Sequence, residues 1–197
     1  MDSIKERRSI RKYKDVLVER KVIDKIIEAG MLAPSAKNRQ PWKYIVYTND
    51  SKDRLLDEME KGFQREQHGT AILPDSAYGL PDAFNTLRIM RQAPVLIIVL
   101  NINGQSPFKN ISTDKRVTEI CDSLSIGASI ENMLLKATEL GLGTLWIANT
   151  CFAYDELVNC IGTENQLIGA VSLGYADEAP VARPRKKIQD VVEYKGL

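Results

Sequence analysis

Apolar positions along the chain change their period several times, and each change marks an element. In "VERKVIDKIIEAGM", Val22, Ile23, Ile26, Ile27 and Met31 recur at helical spacing between charged residues, which predicts an amphipathic helix. "KYIVYT" follows as a strand, and Ser51 is placed to cap a second helix over "KDRLLDEMEKGF". From Gln64 to Pro81 the chain is polar and turn-rich, and "DAFNTLRIMRQ" then resumes a helical pattern. "PVLIIVLN" is an unbroken β-branched and leucine run, the mark of a central strand buried on both faces. The longest helix is predicted from about Thr118 to Leu140, stopped by Gly141. It is apolar nearly all round and is expected to be buried, with small residues at Gly127, Ala128 and Ser129 where another backbone could approach. "GTLWIAN" and "LIGAVSLGYA" read as two more strands, separated by a short helix near "YDELVNC". Helices and strands mix without regular βαβ alternation, which predicts an α+β domain.

No repeat, low-complexity tract or linker divides the 197 residues, so a single domain over 1–197 is expected. Within it, 51–92 reads as a variable helical or lid segment and 177–197 as a C-terminal extension. In that extension Val181, Ile188, Val191 and Val192 have no local apolar partners, which predicts packing on another subunit. Composition adds exclusions. With 44% apolar and 27% charged residues and a net charge of +1, the chain has an ordinary globular balance, and no nucleic-acid partner is expected. The longest apolar run, Ala93 to Leu100, is far short of the ~20 residues of a membrane helix. The charged N-terminus "MDSIKERRSIRKY" lacks the apolar core of a signal peptide. Cys121, Cys151 and Cys160 show no CxxC spacing and suit small buried positions in a reducing compartment, so a cytoplasmic location is expected. The single histidine, His68, lies in the polar stretch "REQHGT" and reads as a solvated loop residue. A Ser-His-Asp triad would have to use it, an HExxH zinc site is impossible, and no metal centre is expected. Difficult chemistry would then belong to a bound cofactor.

Candidate chemistry concentrates in four places. "ERRSIRKY" supplies Arg7, Arg8, Ser9, Arg11 and Lys12, and "ARPRKK" supplies Arg183, Arg185, Lys186 and Lys187. Alternation in "RPR" sends both arginines to one side of an extended segment, and guanidinium forks match phosphate oxygens bidentately. Converged, the two clusters would hold a phosphomonoester; apart, they are two solvated charged faces. No Walker A loop or GxGxxG fingerprint is present, and the "GLG" of Gly141–Gly143 lies between a helix and a strand, the wrong order for a dinucleotide turn. Trp146 in "GTLWIAN" would ordinarily be core, although backbone N–H groups near Ile147 and Ala148 could meet a planar heterocycle. "APSAKNRQPW" puts a proline, a hydroxyl, amides, cations and a tryptophan into a helix-to-strand link, more than a turn requires. Tyr13, Phe63, Phe84 and Phe108 could line a substrate pocket, with core packing their ordinary role.

"RRSIR", "APSAKNRQPW", "ENMLLKATELGLGTLWI" and "LGYADEAPVARPRK" occur here in an order and spacing that resemble the nitroreductase family of FMN-dependent oxidoreductases, from about Glu6 to Lys187. The resemblance implies an α+β sandwich with a mixed or antiparallel central sheet flanked by helices. It also implies an intertwined homodimer with FMN at the subunit interface. By the same resemblance, Arg7, Arg8 and Ser9, with Arg183 and Arg185, would hold the FMN phosphate and nearby ribityl oxygens. Arg11 would face the pyrimidine edge. Pro34, Ser35, Ala36 and Asn38 would reach across from the other subunit, with Gln40 supporting their loop and Trp42 anchoring the next strand. The backbone from Leu145 through Trp146 and Ile147 to Ala148 would lie near flavin N5. Asn85 and Arg88 could supply an amide and a cation to the pyrimidine edge. No catalytic protein side chain is implied, because the flavin carries the chemistry. NADH or NADPH would pass a hydride to FMN N5 and leave, and a nitroaromatic or quinone would then be reduced in the same place. Other family reactions, such as reductive dehalogenation, flavin cleavage and azoline oxidation, remain alternatives, as does a non-catalytic flavin-binding sensor. Ala148 and Ala36 depart from the glycine and serine common at those positions.

Overall fold

The structure, a computed structural model, describes residues 2–196. Four strands carry the core: β1 (Trp42–Thr48), β2 (Val95–Asn101), β3 (Gly143–Ile147) and β4 (Gln166–Gly174). They form one sheet in the order β1-β2-β4-β3, every neighbouring pair antiparallel. Of the two expected arrangements, mixed or antiparallel, the named strands therefore take the second. Between and around them run α1 (Ser3–Glu6), α2 (Arg20–Met31), α3 (Asn49–Gln67), α4 (Leu80–Gln92), α5 (Thr113–Glu139) and α6 (Tyr154–Ile161).

β2 is buried along its whole length, as its unbroken apolar run predicts. Leu96, Ile98 and Leu100 face a cluster built from α3, α4 and α6 with Leu55, Phe63, Leu87 and Leu157. Val95, Ile97 and Val99 face the opposite cluster, with Ile26 of α2 and Ile126, Ile130 and Met133 of α5. Helices on both faces make the sandwich. Trp42 is buried at the start of β1 in the α2–α5 cluster, the anchoring role expected of it.

Several local expectations are corrected. α3 starts at Asn49, and Ser51 does not cap it; its hydroxyl donates to Thr48 O at 2.7 Å. The same helix runs on to Gln67, into the stretch read as turns, and a 3₁₀ segment, Pro74–Gly79, leads into α4. α5 starts at Thr113, earlier than about Thr118, because Ser112 Oγ caps it from Lys115 N–H at 3.4 Å. Met31, at the C-terminal end of the α2 stripe, is exposed. Cys151 and Cys160 are exposed and Cys121 half-buried, so the cysteines are not core fillers. His68 is the exposed residue after α3. Phe63 is core, edge-on to Phe84 at 5.4 Å and to Phe152 at 6.3 Å. Tyr13 is also buried, and Phe108 lies edge-on to Tyr154.

α5 is not buried all round. Its inner face carries Ile126, Ile130, Met133 and Leu134, while Val117, Ile120 and Leu124 lie on the surface of the single chain. Trp146 is also exposed, at 45%; its indole reaches toward Gly127 and Gly169 rather than into the core. Residues 181–196 are exposed throughout. No helix among the described residues is long and apolar enough to cross a membrane.

Candidate functional site

The two ends of the chain are laced together beside β3. Ser9 pairs with Thr144 in a parallel bridge, and Ile10 N–H donates to Thr144 O at 2.9 Å. Tyr13 bridges Ala176, Lys14 N–H donates to Tyr175 O at 2.9 Å, and Asp177 N–H donates to Lys12 O at 3.0 Å. Ile10 is the buried anchor of this strap, and it lies where a side chain on Gly143 would have to be: a Cβ there would sit 2.6 Å from Ile10 Cγ1. A glycine at the start of β3 is what lets the strap lie flat. The carboxylate of Glu178 then fastens strap to tail, accepting from Arg11 N–H and from Lys12 N–H at 3.2 Å.

This lacing brings the basic clusters together. Arg7, Arg8, Ser9, Arg11, Arg183 and Arg185 line one cavity of about 80 Å³, with Pro180–Ala182 as its remaining wall. The arginines of the two clusters therefore do not lie on separate faces, while Lys12, Lys186 and Lys187 are exposed and do not line the cavity. Arg7 is oriented by Glu131 of α5, 3.5 Å away, and Arg8 donates to Lys5 O at 2.6 Å and Arg7 O at 2.8 Å. A cavity ringed by guanidinium groups is suited to a dianion, each charge-assisted hydrogen bond contributing about 1.5–3 kcal/mol.

Arg11 belongs to a second cavity as well, of about 170 Å³ at the end of β3. Leu145, Trp146, Ile147 and Ala148 form one wall, and Asp82, Asn85 and Thr86 of α4 face them. Asn149 ties the two sides, its Nδ2 donating to Asp82 Oδ2 at 3.0 Å and Thr86 Oγ1 at 3.1 Å. Asn85 therefore takes a place beside Arg11, while Arg88 is turned to Asn85 Oδ1 at 2.8 Å and does not line the cavity. Asn149 closes the "GTLWIAN" stretch, whereas Asp82, Thr86 and Glu178 were not singled out in the sequence. They converge from separate elements, and no local spacing marks them.

The Pro34–Gln40 loop stands elsewhere. None of its residues lines either cavity within the chain. Ser35, Ala36 and Asn38 sit at a 3₁₀ turn against α5, where Ala36 N–H donates to Ser125 Oγ at 3.2 Å. Gln40 closes the loop on itself, donating from N–H to Ser35 Oγ at 3.0 Å and from Nε2 to Asn38 Oδ1 at 3.4 Å. Lys37, Asn38 and Gln40 have φ of 54°, 53° and 48°, the left-handed region, which costs a non-glycine residue roughly 1–2 kcal/mol. Strain of this kind concentrates at functional sites. Pro34, Asn38 and Gln40 are exposed, so the loop presents its polar groups outward.

Comparison with known proteins places the chain and its fold. The model of the nitroreductase family matches residues 4–175. A protein of Methanothermobacter thermautotrophicus, provisionally named an NADH dehydrogenase/NAD(P)H nitroreductase, is 32% identical over 146 residues, which cover 74% of this chain and 59% of that protein. The chain thus spans less than two thirds of that relative's length. Among solved structures, a BluB-like flavoprotein from Clostridium difficile superposes with a TM-score of 0.81 at 26% identity, over 98% of this chain and 97% of the other. A provisionally named nitroreductase from Desulfovibrio desulfuricans, solved in complex with FMN, does so with a TM-score of 0.72 at 24% identity, over 99% and 95%. With the match running from 4 to 175, through the strap, the helices and the sheet and stopping before the tail that carries Arg183 and Arg185, the chain belongs to the nitroreductase family.

Proposed function

We propose that the protein is an FMN-dependent oxidoreductase that takes reducing equivalents from NADH or NADPH and delivers them to an electron-poor small molecule, a nitroaromatic or a quinone. The observation that carries this reading is the pair of cavities joined through Arg11. One offers guanidinium groups from both chain ends, the chemistry a phosphomonoester needs; the next is a polar slot beside the end of β3, where a planar ring system can be held by backbone and amide groups. The residues fit FMN.

Arg7, Arg8, Ser9, Arg183 and Arg185 would hold the phosphate, and Arg11, Asn85 and the backbone from Leu145 to Ala148 would hold the ring system. Bound FMN supplies the hydride-accepting and hydride-donating chemistry. The chain's part is electrostatic and geometric: Arg11 would hold a fixed cation beside the bound ring and so favour its electron-rich form. No side-chain acid or base is required.

The loop of Pro34, Ser35, Ala36 and Asn38 completes the site from a second copy. That arrangement accounts for a strained, outward-facing polar loop that touches neither cavity of its own chain. It also gives partners to the exposed residues Val117, Ile120 and Leu124 of α5 and to Ile188, Val191 and Val192 of the tail. Purified protein is expected to be yellow, to release FMN on denaturation, and to oxidise NADH or NADPH in the presence of a quinone. Protein that takes up no FMN would overturn the reading; protein that binds FMN but leaves both nicotinamides unoxidised would be a binder instead.

A further inference from the structure

Three left-handed, non-glycine residues within four positions form a conformation that the Lys37–Gln40 turn does not hold unaided. The bonds among Ser35, Asn38 and Gln40 fix the loop's shape but not its place on the molecule. Its place is set on α5. Arg39 Nε donates to Asp122 Oδ1 at 2.8 Å, and Nη2 lies 2.7 Å from the same oxygen. Asp122 is wholly buried.

The carboxylate is itself held from the sheet side. Its Oδ2 accepts from Asn103 Nδ2 at 3.2 Å, and Asn103 N–H donates to Asn101 Oδ1 at 3.0 Å. Asn101 Nδ2 donates to Gln166 Oε1 at 3.1 Å, and Gln166 Nε2 to Glu119 Oε1 at 2.6 Å. Glu119 in turn pairs with Arg116. Asn101 and Gln166 are opposite one another at the ends of β2 and β4, both buried. A continuous polar chain therefore runs from the two central strands to an exposed loop.

We propose that Arg39 and Asp122 are a positioning pair: the carboxylate, locked to the ends of β2 and β4, pins the guanidinium and so sets Ser35 and Asn38 at the height where they meet the flavin of a second subunit. This rests on the flavin reading above. A buried ion pair adds little net stability over well-packed apolar side chains. What it adds is direction, since a planar guanidinium directed at a fixed carboxylate oxygen has few geometries whereas an apolar contact can slide.

The test is FMN affinity of the apoprotein by flavin fluorescence, with visible circular dichroism of the bound flavin and the thermal midpoint of the apoprotein beside it. Arg39→Met with Asp122→Asn removes both charges together and keeps an acceptor for Asn103, so no buried charge is left alone. The dissociation constant is expected to rise at least about tenfold, with an altered visible dichroism and little change in thermal midpoint. Arg39→Lys keeps the charge without the planar guanidinium and should fall between wild type and the double variant. Unchanged affinity and dichroism in the double variant would overturn the proposal, and if that variant fails to fold, a wild-type result for Arg39→Lys overturns it equally. Wild-type protein that binds no FMN would remove the flavin reading itself, a result distinct from wild-type protein that binds it as tightly as the variants do.

Discussion

Arg7 and Arg185 come from opposite ends of the sequence and line one cavity, so each tests the same anion independently. Replacing either with alanine removes charge-assisted bonds, and FMN affinity is expected to fall at least about tenfold for each, equivalent to about 1.4 kcal/mol. Retention of FMN unchanged in both variants, measured by equilibrium dialysis, would place the phosphate elsewhere. These arginines were legible because charge clusters and an RPR alternation survive in one dimension. Glu178 and Glu131 were not, although one holds the Arg11 backbone and the other pairs with the Arg7 guanidinium: a carboxylate whose partner lies far away in sequence carries no local signature. Asp82 and Thr86 were hidden for the same reason.

Strands were the most legible elements, since β-branched runs such as that of β2 leave little choice, and helix ends were the least. α3 outruns its apolar stripe because its last turn is held by tertiary bonds. Glu66 is buried there and accepts from Ile72 N–H at 2.8 Å and Leu73 N–H at 3.1 Å, while Arg65 links it to Glu156 of α6. Burial alone would raise the Glu66 pKa, but the two N–H groups and Arg65 outweigh it and hold the carboxyl below its ordinary 4.5. Glu156 shifts the same way, burial again opposing and Arg65 prevailing. With folded values below unfolded ones, their stabilisation is complete above the ordinary carboxylate range and is lost as pH falls through the lower folded values. Urea midpoints are therefore expected to hold from neutral pH down to about 4.5 and then decline. Glu66→Gln should start about 1–3 kcal/mol lower at pH 7 and decline less steeply, and parallel curves for the two proteins would refute the clamp. A second element-level test concerns β3. A Cβ on Gly169 would meet Ile147 O at 2.5 Å, so Gly169→Ala must push β3 away from β4 just before Ala148. A stability loss of about 1–3 kcal/mol is expected in chemical denaturation, with weakened FMN binding if the cavity lined by the displaced backbone holds the ring as proposed.

Over the whole molecule, the surface of the single chain has one feature that a free monomer would not favour. Val117, Ile120 and Leu124 follow helical spacing along the outer face of α5, and their stripe leads toward Gly127, where Trp146 lies. The strained loop rests on the same helix, and Val181, Ile188, Val191 and Val192 of the tail are exposed. An interface formed by α5 against its copy would cover the stripe, give the tail a surface to cross, and carry each loop toward the other chain's cavities. Leu124, 71% exposed, has no role inside the chain's own core, so Leu124→Asp should leave the subunit folded while setting two carboxylates into a paired apolar seam. Sedimentation should then find a dimer for wild type and a monomer for the variant, and the monomer should lose FMN even though every residue of the arginine-lined cavity is intact. Deleting residues 188–197 spares those arginines too and should loosen the dimer less completely. A Leu124→Asp protein that stays dimeric would move the interface off α5. A monomer that keeps FMN at wild-type affinity would mean that one chain suffices, and the Pro34–Gln40 loop would then have no part in the site.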